Sequence, residues 1–286
     1  MNKTFVLGVG CQKGGTTWLY RYLNMHHAAN MGFKKEYHVF DALYLPEFAH
    51  LKSRNTDFYR LFRRWRVFKI SKMKEVFKYR CFYRDISCYF NYFSSLVDGA
   101  GSISLTGDIT PSYAGLPVEA LVKIKKELED RGFAVKVLFI MRDPVERCIS
   151  SMRMTRRNAA NTPENDEVED LIENYKTPIY KIRTQYEKTI RNIETVFDSH
   201  DVHYEFYERL FDPGSIRGIT DFLSIDYVEP DFGRKVNVSR TNNLIDDDVK
   251  REVFDYYRPT FEFVAERFGR DFIQGLWPSY EKFKEP

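Results

Sequence analysis

Phe5-Val6-Leu7-Gly8-Val9-Gly10-Cys11-Gln12-Lys13-Gly14-Gly15-Thr16-Thr17-Trp18-Leu19 lies almost at the start of the chain. The branched apolar run predicts a buried strand, the glycine cluster a loop, and Thr-Thr-Trp-Leu the first turn of a helix. A glycine loop between a strand and a helix N-terminus turns backbone N–H groups and the positive end of the helix dipole towards one point, which makes an anion cradle. Gly10 and Gly15 have the spacing of the Walker A loop, G-x-x-x-x-G-K-[ST]. Thr16, however, stands where that loop has its Lys, and the cation comes earlier, at Lys13.

A second phosphate-binding signal lies far along the chain. Val135-Lys136-Val137-Leu138-Phe139-Ile140-Met141 predicts a central parallel strand, and Arg142-Asp143-Pro144 ends it. Pro144 suits a first helical turn, and the following pattern places Ser150, eight positions after Arg142, on the next helix. In open α/β sheets ligands bind outside the carboxyl ends of the strands. A planar guanidinium at such a strand end is suited to bidentate binding of phosphate oxygens.

These two segments together resemble the donor site of the sulfotransferases that use PAPS (3′-phosphoadenosine 5′-phosphosulfate). The resemblance implies that Lys13 approaches the bridging oxygen of the phosphosulfate. It also implies that Gly14, Gly15, Thr16 and Thr17 hold the 5′-phosphate, that Trp18 packs near the adenine, and that Arg142 and Ser150 contact the 3′-phosphate. Phe206-Tyr207-Glu208-Arg209-Leu210 resembles a family segment whose Tyr, here Tyr207, lies near the adenine. Val236-Asn237-Val238-Ser239-Arg240 resembles the segment that closes over the 3′-phosphate, which makes Ser239 and Arg240 candidates there. The resemblance covers residues 5–41, 87–155, 180–214 and 234–277. It implies an α/β fold with a central parallel sheet flanked by helices on both faces, a relative of the P-loop nucleotide kinases.

Lys35-Glu36-Tyr37-His38-Val39-Phe40-Asp41 resembles the Lys-Glu-x-His-Phe-Phe motif of glycan sulfotransferases. It implies Glu36 as catalytic base with His38 beside it. Small-molecule members use a His instead, so His38 is the other candidate. Val39 departs from the family's Phe. An extended segment would put Glu36 and His38 on one face. Gly107-Asp108-Ile109-Thr110-Pro111-Ser112-Tyr113 resembles a cleft-lining segment, with Asp108 in place of Glu and Ile109 where many glycan members carry a Lys. Sulfuryl transfer needs a base, a cation at the leaving phosphate and in-line positioning, and none of these requires a metal.

Composition sets the frame for this chemistry. The 286 residues contain 43% hydrophobic and 30% charged side chains, enough for a sizeable core, and the net charge of +3 gives no argument for nucleic acid. We expect a single domain over 1–286, with a basic and aromatic helical insert at about 45–85, a polar loop at 155–167, and a long helix over about 166–197 broken near Pro178. No apolar run reaches the ~20 residues that span a bilayer. The expectation is therefore a soluble cytoplasmic protein, with Cys11, Cys81, Cys88 and Cys148 as reduced thiols. The expected activity is transfer of a sulfuryl group from PAPS to a hydroxyl or amine, a carbohydrate being the leading acceptor. A P-loop small-molecule kinase and a non-catalytic nucleotide- or glycan-binding relative are the alternatives.

Overall fold

Four parallel strands make the sheet of the computed structural model: β1 (Lys3–Gly10), β2 (Leu105–Ile109), β3 (Phe133–Met141) and β4 (Val202–Phe206), in the order β2-β1-β3-β4. The structure describes residues 3–57, 70–99, 101–159, 166–233 and 245–284. In the central strand Leu7 is in register with Asp108 of β2 and Val137 of β3, and the β1–β3 register shifts between Gly8 and Gly10. The shift falls where the chain leaves the sheet to form the glycine loop.

Strand alternation explains why both faces are covered. Phe5, Leu7 and Val9 join Val135, Val137 and Phe139 in one core, whereas Val6 joins Leu138 and Ile140 in the other. The second core is closed by Trp18, Leu19, Tyr22 and Leu23 of α1 (Thr16–Met25). A short helix, α2 (Phe40–Tyr44), follows the Glu36–His38 segment, and α3 (His50–Thr56) comes next. The first core takes aromatic side chains from α4 (Ile70–Arg84) and α5 (Ser87–Val97), among them Tyr79, Phe82, Tyr89, Phe90 and Phe93. Apolar rows of α6 (Val118–Glu129) complete that side.

Beyond β3, α7 (Pro144–Asn158) starts as its sequence predicts. Pro144 is in the first turn, and the buried Asp143 side chain caps the helix by accepting from the Val145 and Glu146 N–H groups at 2.9 and 3.3 Å. The region read as one long helix is three: α8 (Glu167–Asn174), α9 (Pro178–Thr184) and α10 (Tyr186–Val196). The break at Pro178 is the predicted one. The second falls at Gln185, whose ψ of 73° is not helical. Then follow α11 (Pro213–Phe222) and α12 (Asp247–Phe268), which ends at Gly269 with φ 106°, a conformation that favours glycine.

Two further expectations are corrected. Cys81 and Cys88 are joined by a disulfide, with Cα atoms 5.8 Å apart, because α4 and α5 meet there in a tight turn; Cys11 and Cys148 are the buried free thiols. Residues 34–39 are not extended strand, since His38 adopts φ 53°. The helical reading of the 45–85 insert holds for α3 and α4; residues 58–69 lie outside the described part, as do 160–165 of the polar loop. The rest of that loop is ordered differently from expectation, because α7 runs on to Asn158. Among the described residues no helix is long and apolar enough to cross a membrane.

Candidate active site

The glycine loop takes its shape from positions that reject a side chain. Gly15 caps α1 at φ 82°, and a Cβ there would lie 2.4 Å from Leu210 Cδ2 and 3.3 Å from Tyr207 Cδ2. Gly14 would place its Cβ 2.9 Å from Cys11 Sγ and 3.1 Å from the Ile140 carbonyl, so it packs on the end of β3. Its N–H donates to the Cys11 carbonyl at 3.1 Å, and Gly14 does not face the cavity. Thr16 and Thr17 begin the helix, where N–H groups have no intrahelical acceptor and the dipole is positive. Lys13 also has a positive φ, 73°.

Arg142 reaches the same loop from the end of β3. Its Nη1 donates to the Lys13 carbonyl at 3.1 Å, and its guanidinium lies 4.4 Å from the centre of the Tyr207 ring. Lys13, Arg142 and Tyr207 therefore form one group, although they are far apart in sequence. Ser150 lines the same cavity from α7. Its neighbour Ser151 turns inward and donates to Gln12 Oε1 at 3.0 Å. Trp18 stacks between Tyr22 and Phe232, with ring centroids 5.9 and 5.7 Å away. Ser239 and Arg240 lie outside the described residues.

Glu36 and His38 meet despite the absence of a strand. His38 Nε2 is 3.1 Å from Glu36 Oε2, and His38 Nδ1 is 2.6 Å from Oδ2 of the fully buried Asp41. Ser112 donates to the same Asp41 oxygen at 2.5 Å, and the Ala42 N–H donates to Oδ1 at 2.9 Å. Lys35 pairs with Glu36 Oε1, and its ammonium also donates to Thr16 Oγ1 at 3.4 Å. One ammonium thus connects the glycine loop to the Glu36–His38 pair.

The backbone beneath this pair is fixed from the sheet. Asp108, fully buried on β2, accepts from the Tyr89 and Tyr113 hydroxyls at 2.8 Å each and from Thr110 Oγ1 at 2.6 Å. Thr110 in turn accepts from the Tyr37 N–H at 3.0 Å, and the Tyr113 hydroxyl accepts from the Val39 N–H at 3.2 Å. The Tyr83 hydroxyl donates to the His38 carbonyl at 2.8 Å. Asp108, Thr110 and Ser112 are therefore buried supports of the site rather than part of its lining.

Electrostatics separate the members of the site. Burial pushes the Glu36 carboxyl up, but the His38 hydrogen bond and the Lys35 ammonium outweigh it and hold the group at about 2. Burial pushes His38 down, yet its bonds to Asp41 and Glu36 raise it to about 9. At neutral pH the pair is thus a carboxylate and an imidazolium. Burial, followed by the neighbouring Arg157, Arg142 and Lys35 charges, lowers Lys13 to about 8. Such a crowded cation is stabilised by an incoming anion.

The glycine loop, Arg142 and the Glu36–His38 pair border one cavity of about 910 Å³. Its lining includes Lys13, Gly15, Thr16, Thr17, Trp18 and Lys35, and also Glu36, His38, Arg142, Ser150 and Tyr207. Sequence reading missed Arg183, whose Nη1 donates to Gln12 Oε1 at 3.1 Å, and gave no role to Asp41. The one available signal was the spacing of Asp41 three residues after His38. Arg183 carries no local pattern, because tertiary packing alone brings α9 to the cavity. Among the described residues the cluster Asp198, His200 and Asp201 could group around a cation, but it lies apart from this lining and two of its members are exposed.

Comparison with known proteins agrees with this architecture. A family model described as the sulfotransferase family matches residues 6–229. The crystal structure of a sulfotransferase from Alicyclobacillus acidocaldarius aligns with a TM-score of 0.59 at 18% identity, over 93% of this chain and 96% of that one, and shows the same fold. Mouse sulfotransferase SULT7A1 complexed with PAP aligns at 14% identity and a TM-score of 0.45, over 92% of this chain and 85% of that one. The sulfotransferase domain of the Synechococcus PCC 7002 olefin synthase aligns at 15% identity and 0.47, over 90% and 94%. No curated protein sequence matches the chain. The family model spans most of the residues, and they include both the glycine loop and the Glu36–His38 pair; the chain belongs to the sulfotransferase family.

Proposed function

We propose that the protein transfers a sulfuryl group from PAPS to a hydroxyl or amine of an acceptor, a saccharide being the class that the Lys35–His38 motif resembles. The observation that carries this reading is the single cavity in which Lys35 bridges Thr16, at the anion cradle, and Glu36. The donor fits the residues present. The Gly15–Thr17 helix start and Lys13 suit the 5′-phosphosulfate, and Arg142 and Ser150 suit a 3′-phosphate. Trp18, Tyr207 and Phe232 offer aromatic surface for the base.

Glu36 is the member of the pair that stands in its proton-accepting form. It is ionised, whereas His38 already carries its proton and must lose it before it can act as base. His38, anchored by Asp41, orients the Glu36 carboxylate and shares the incoming proton. Lys13 holds the negative charge that grows on the leaving phosphate as its bond to sulfur breaks. Glu36 takes the acceptor proton as the acceptor oxygen or nitrogen bonds to sulfur.

Calorimetric titration with 3′,5′-ADP and 5′-AMP tests the donor side. Preference for 3′,5′-ADP is expected, and Arg142→Gln should abolish it; equal affinity overturns the 3′-phosphate assignment. Radiolabelled PAPS over a panel of saccharides, lipids and small alcohols tests transfer. With any acceptor so found, Glu36→Gln should lower kcat by about 10²–10⁴ and leave 3′,5′-ADP affinity in place. Transfer near the wild-type rate removes Glu36 as the base.

A further inference from the structure

The charge of the cavity is unbalanced in a particular place. Among the described residues its lining carries five Lys and Arg side chains, Lys13, Lys35, Arg54, Arg142 and Arg183, together with the protonated His38, against one carboxylate, Glu36. Lys35 is paired with Glu36, and Arg142 contacts Glu146 at 3.9 Å. The donor proposed above accounts for Lys13 and Arg142. Arg54 and Arg183 remain, and neither has a carboxylate within ion-pair distance among the described residues.

Arg183 is the more telling of the two. Its Nε is buried without a hydrogen-bond partner, its Nη1 meets only the neutral Gln12 amide, and its guanidinium sits 5.1 Å from the centre of the Phe48 ring. A desolvated guanidinium without a counter-ion is costly and is stabilised by an oxyanion. Burial and the nearby Arg147 charge push it down to about 10, against the weaker opposing pull of Glu36 and Asp41. Both of those carboxylates are already engaged with Lys35, His38 and Ser112.

Apolar side chains line the same cavity as these two cations: Phe48, against which Arg183 lies, and Leu51, each 4% exposed, and Ile179, 37% exposed. Arg54 belongs to α3 and Arg183 to α9, so two elements outside the glycine loop build this arm of the lining, and Arg183 also reaches the loop through Gln12. We infer that this arm is an acceptor subsite for an anionic group, a carboxylate or an ester oxyanion, attached to a molecule that also presents an apolar or ring face to Phe48, Leu51 and Ile179. The inference rests on the sulfuryl-transfer reading and adds the acceptor's charge to it.

Two probes that differ in one group test this: para-nitrophenyl β-D-glucuronide and para-nitrophenyl β-D-glucoside, titrated against the protein saturated with 3′,5′-ADP. The glucuronide should bind at least about tenfold more tightly, the scale of one charge-assisted pair. Arg183→Gln should remove that preference, and Arg54→Gln, at an exposed helix position, should reduce it at least threefold. The inference is overturned if the glucoside binds as well as the glucuronide, if neither binds, or if both variants keep the wild-type ratio. Absence of 3′,5′-ADP binding would instead overturn the donor reading, so the two failures are distinguishable. If Arg183→Gln fails to fold, the Arg54→Gln ratio and the wild-type ratio decide. A loss equal for both probes in Arg183→Gln overturns the subsite and assigns Arg183 to the glycine loop through Gln12.

Discussion

Replacing Asp41 with Asn should move the proton on His38. Asp41 Oδ1 accepts from the Ala42 N–H, so the Asn carbonyl keeps that place and its NH₂ takes the position of Oδ2, facing His38 Nδ1 and Ser112. An amide NH₂ cannot accept from an imidazolium. The favoured state becomes neutral imidazole, with Nδ1 accepting from Asn and Nε2–H donating to Glu36. Raising the imidazole from 6.5 to about 9 corresponds to about 3 kcal/mol of preference for the charged ring, shared between Asp41 and Glu36. Asp41 supplies the stronger bond, so Asp41→Asn should lower the His38 pKa by at least about one unit. Ring-nitrogen NMR of the folded protein reads this directly. The wild-type ring should be doubly protonated at pH 7.5 and titrate near 9, and the variant ring should be singly protonated at that pH. Stability follows the same sign. A group raised on folding contributes fully below its unfolded value of 6.5 and loses that contribution as pH rises through about 9. Wild-type stability should therefore fall between these values more steeply than that of Asp41→Asn in denaturant titrations. An unchanged His38 titration in the variant would refute the reasoning.

Gly15→Ala should cost about 3 kcal/mol, from about 1–2 for left-handed backbone and the rest from overpacking against the fully buried Leu210; a melting temperature within 2 °C of wild type contradicts it. The fully buried Arg147 has Nε and Nη1 unpartnered and, among the described residues, no carboxylate within ion-pair distance. Arg147→Met should consequently leave stability unchanged or raise it by about 1 kcal/mol, and a loss above that size in denaturant unfolding would assign the guanidinium a structural partner. The disulfide between Cys81 and Cys88 closes a loop of sequence separation 7. Cys81→Ser with Cys88→Ser should then lower stability by about 2 kcal/mol through chain entropy, checked against the wild type under non-reducing conditions.

Much of the sheet was legible because its signals are local. Phe5–Val9 and Val135–Met141 are runs that only a doubly covered strand buries, and Asp143-Pro144 writes a helix start into consecutive residues. The pairing of Glu36 with His38 was expected from the motif that the segment resembles, and an extended backbone was the conformation considered for it. A left-handed His38 brings the two rows together instead, and neither residue type signals that conformation. Asp41 was overlooked because an acidic residue in the first turn of a helix is ordinarily a dipole partner in solvent. Its role depends on Ser112, which lies 71 residues away in the turn that follows β2. Arg183 was illegible for the same reason, since its surroundings come from Gln12, Phe48 and Glu36, none of them near it in sequence. The disulfide escaped because a spacing of seven between Cys81 and Cys88 says nothing until two helices turn back on each other.

The hydrogen bonds that hold the Glu36–His38 loop are made to the N–H groups of Tyr37 and Val39, and to the carbonyl of His38. The tyrosines and Thr110 thus grip the peptide groups, while the side chains at 36 and 38 are held separately, by Lys35, by each other and by Asp41. The segment works as a socket, fixed to the sheet by its rim. Glu36, a third exposed, can be exchanged for a side chain of other acidity without rebuilding the wall behind it, whereas His38 is tied to the buried Asp41 and to its left-handed backbone, which makes position 36 the one to vary when the proton-handling of the protein is to be redesigned and its fold kept.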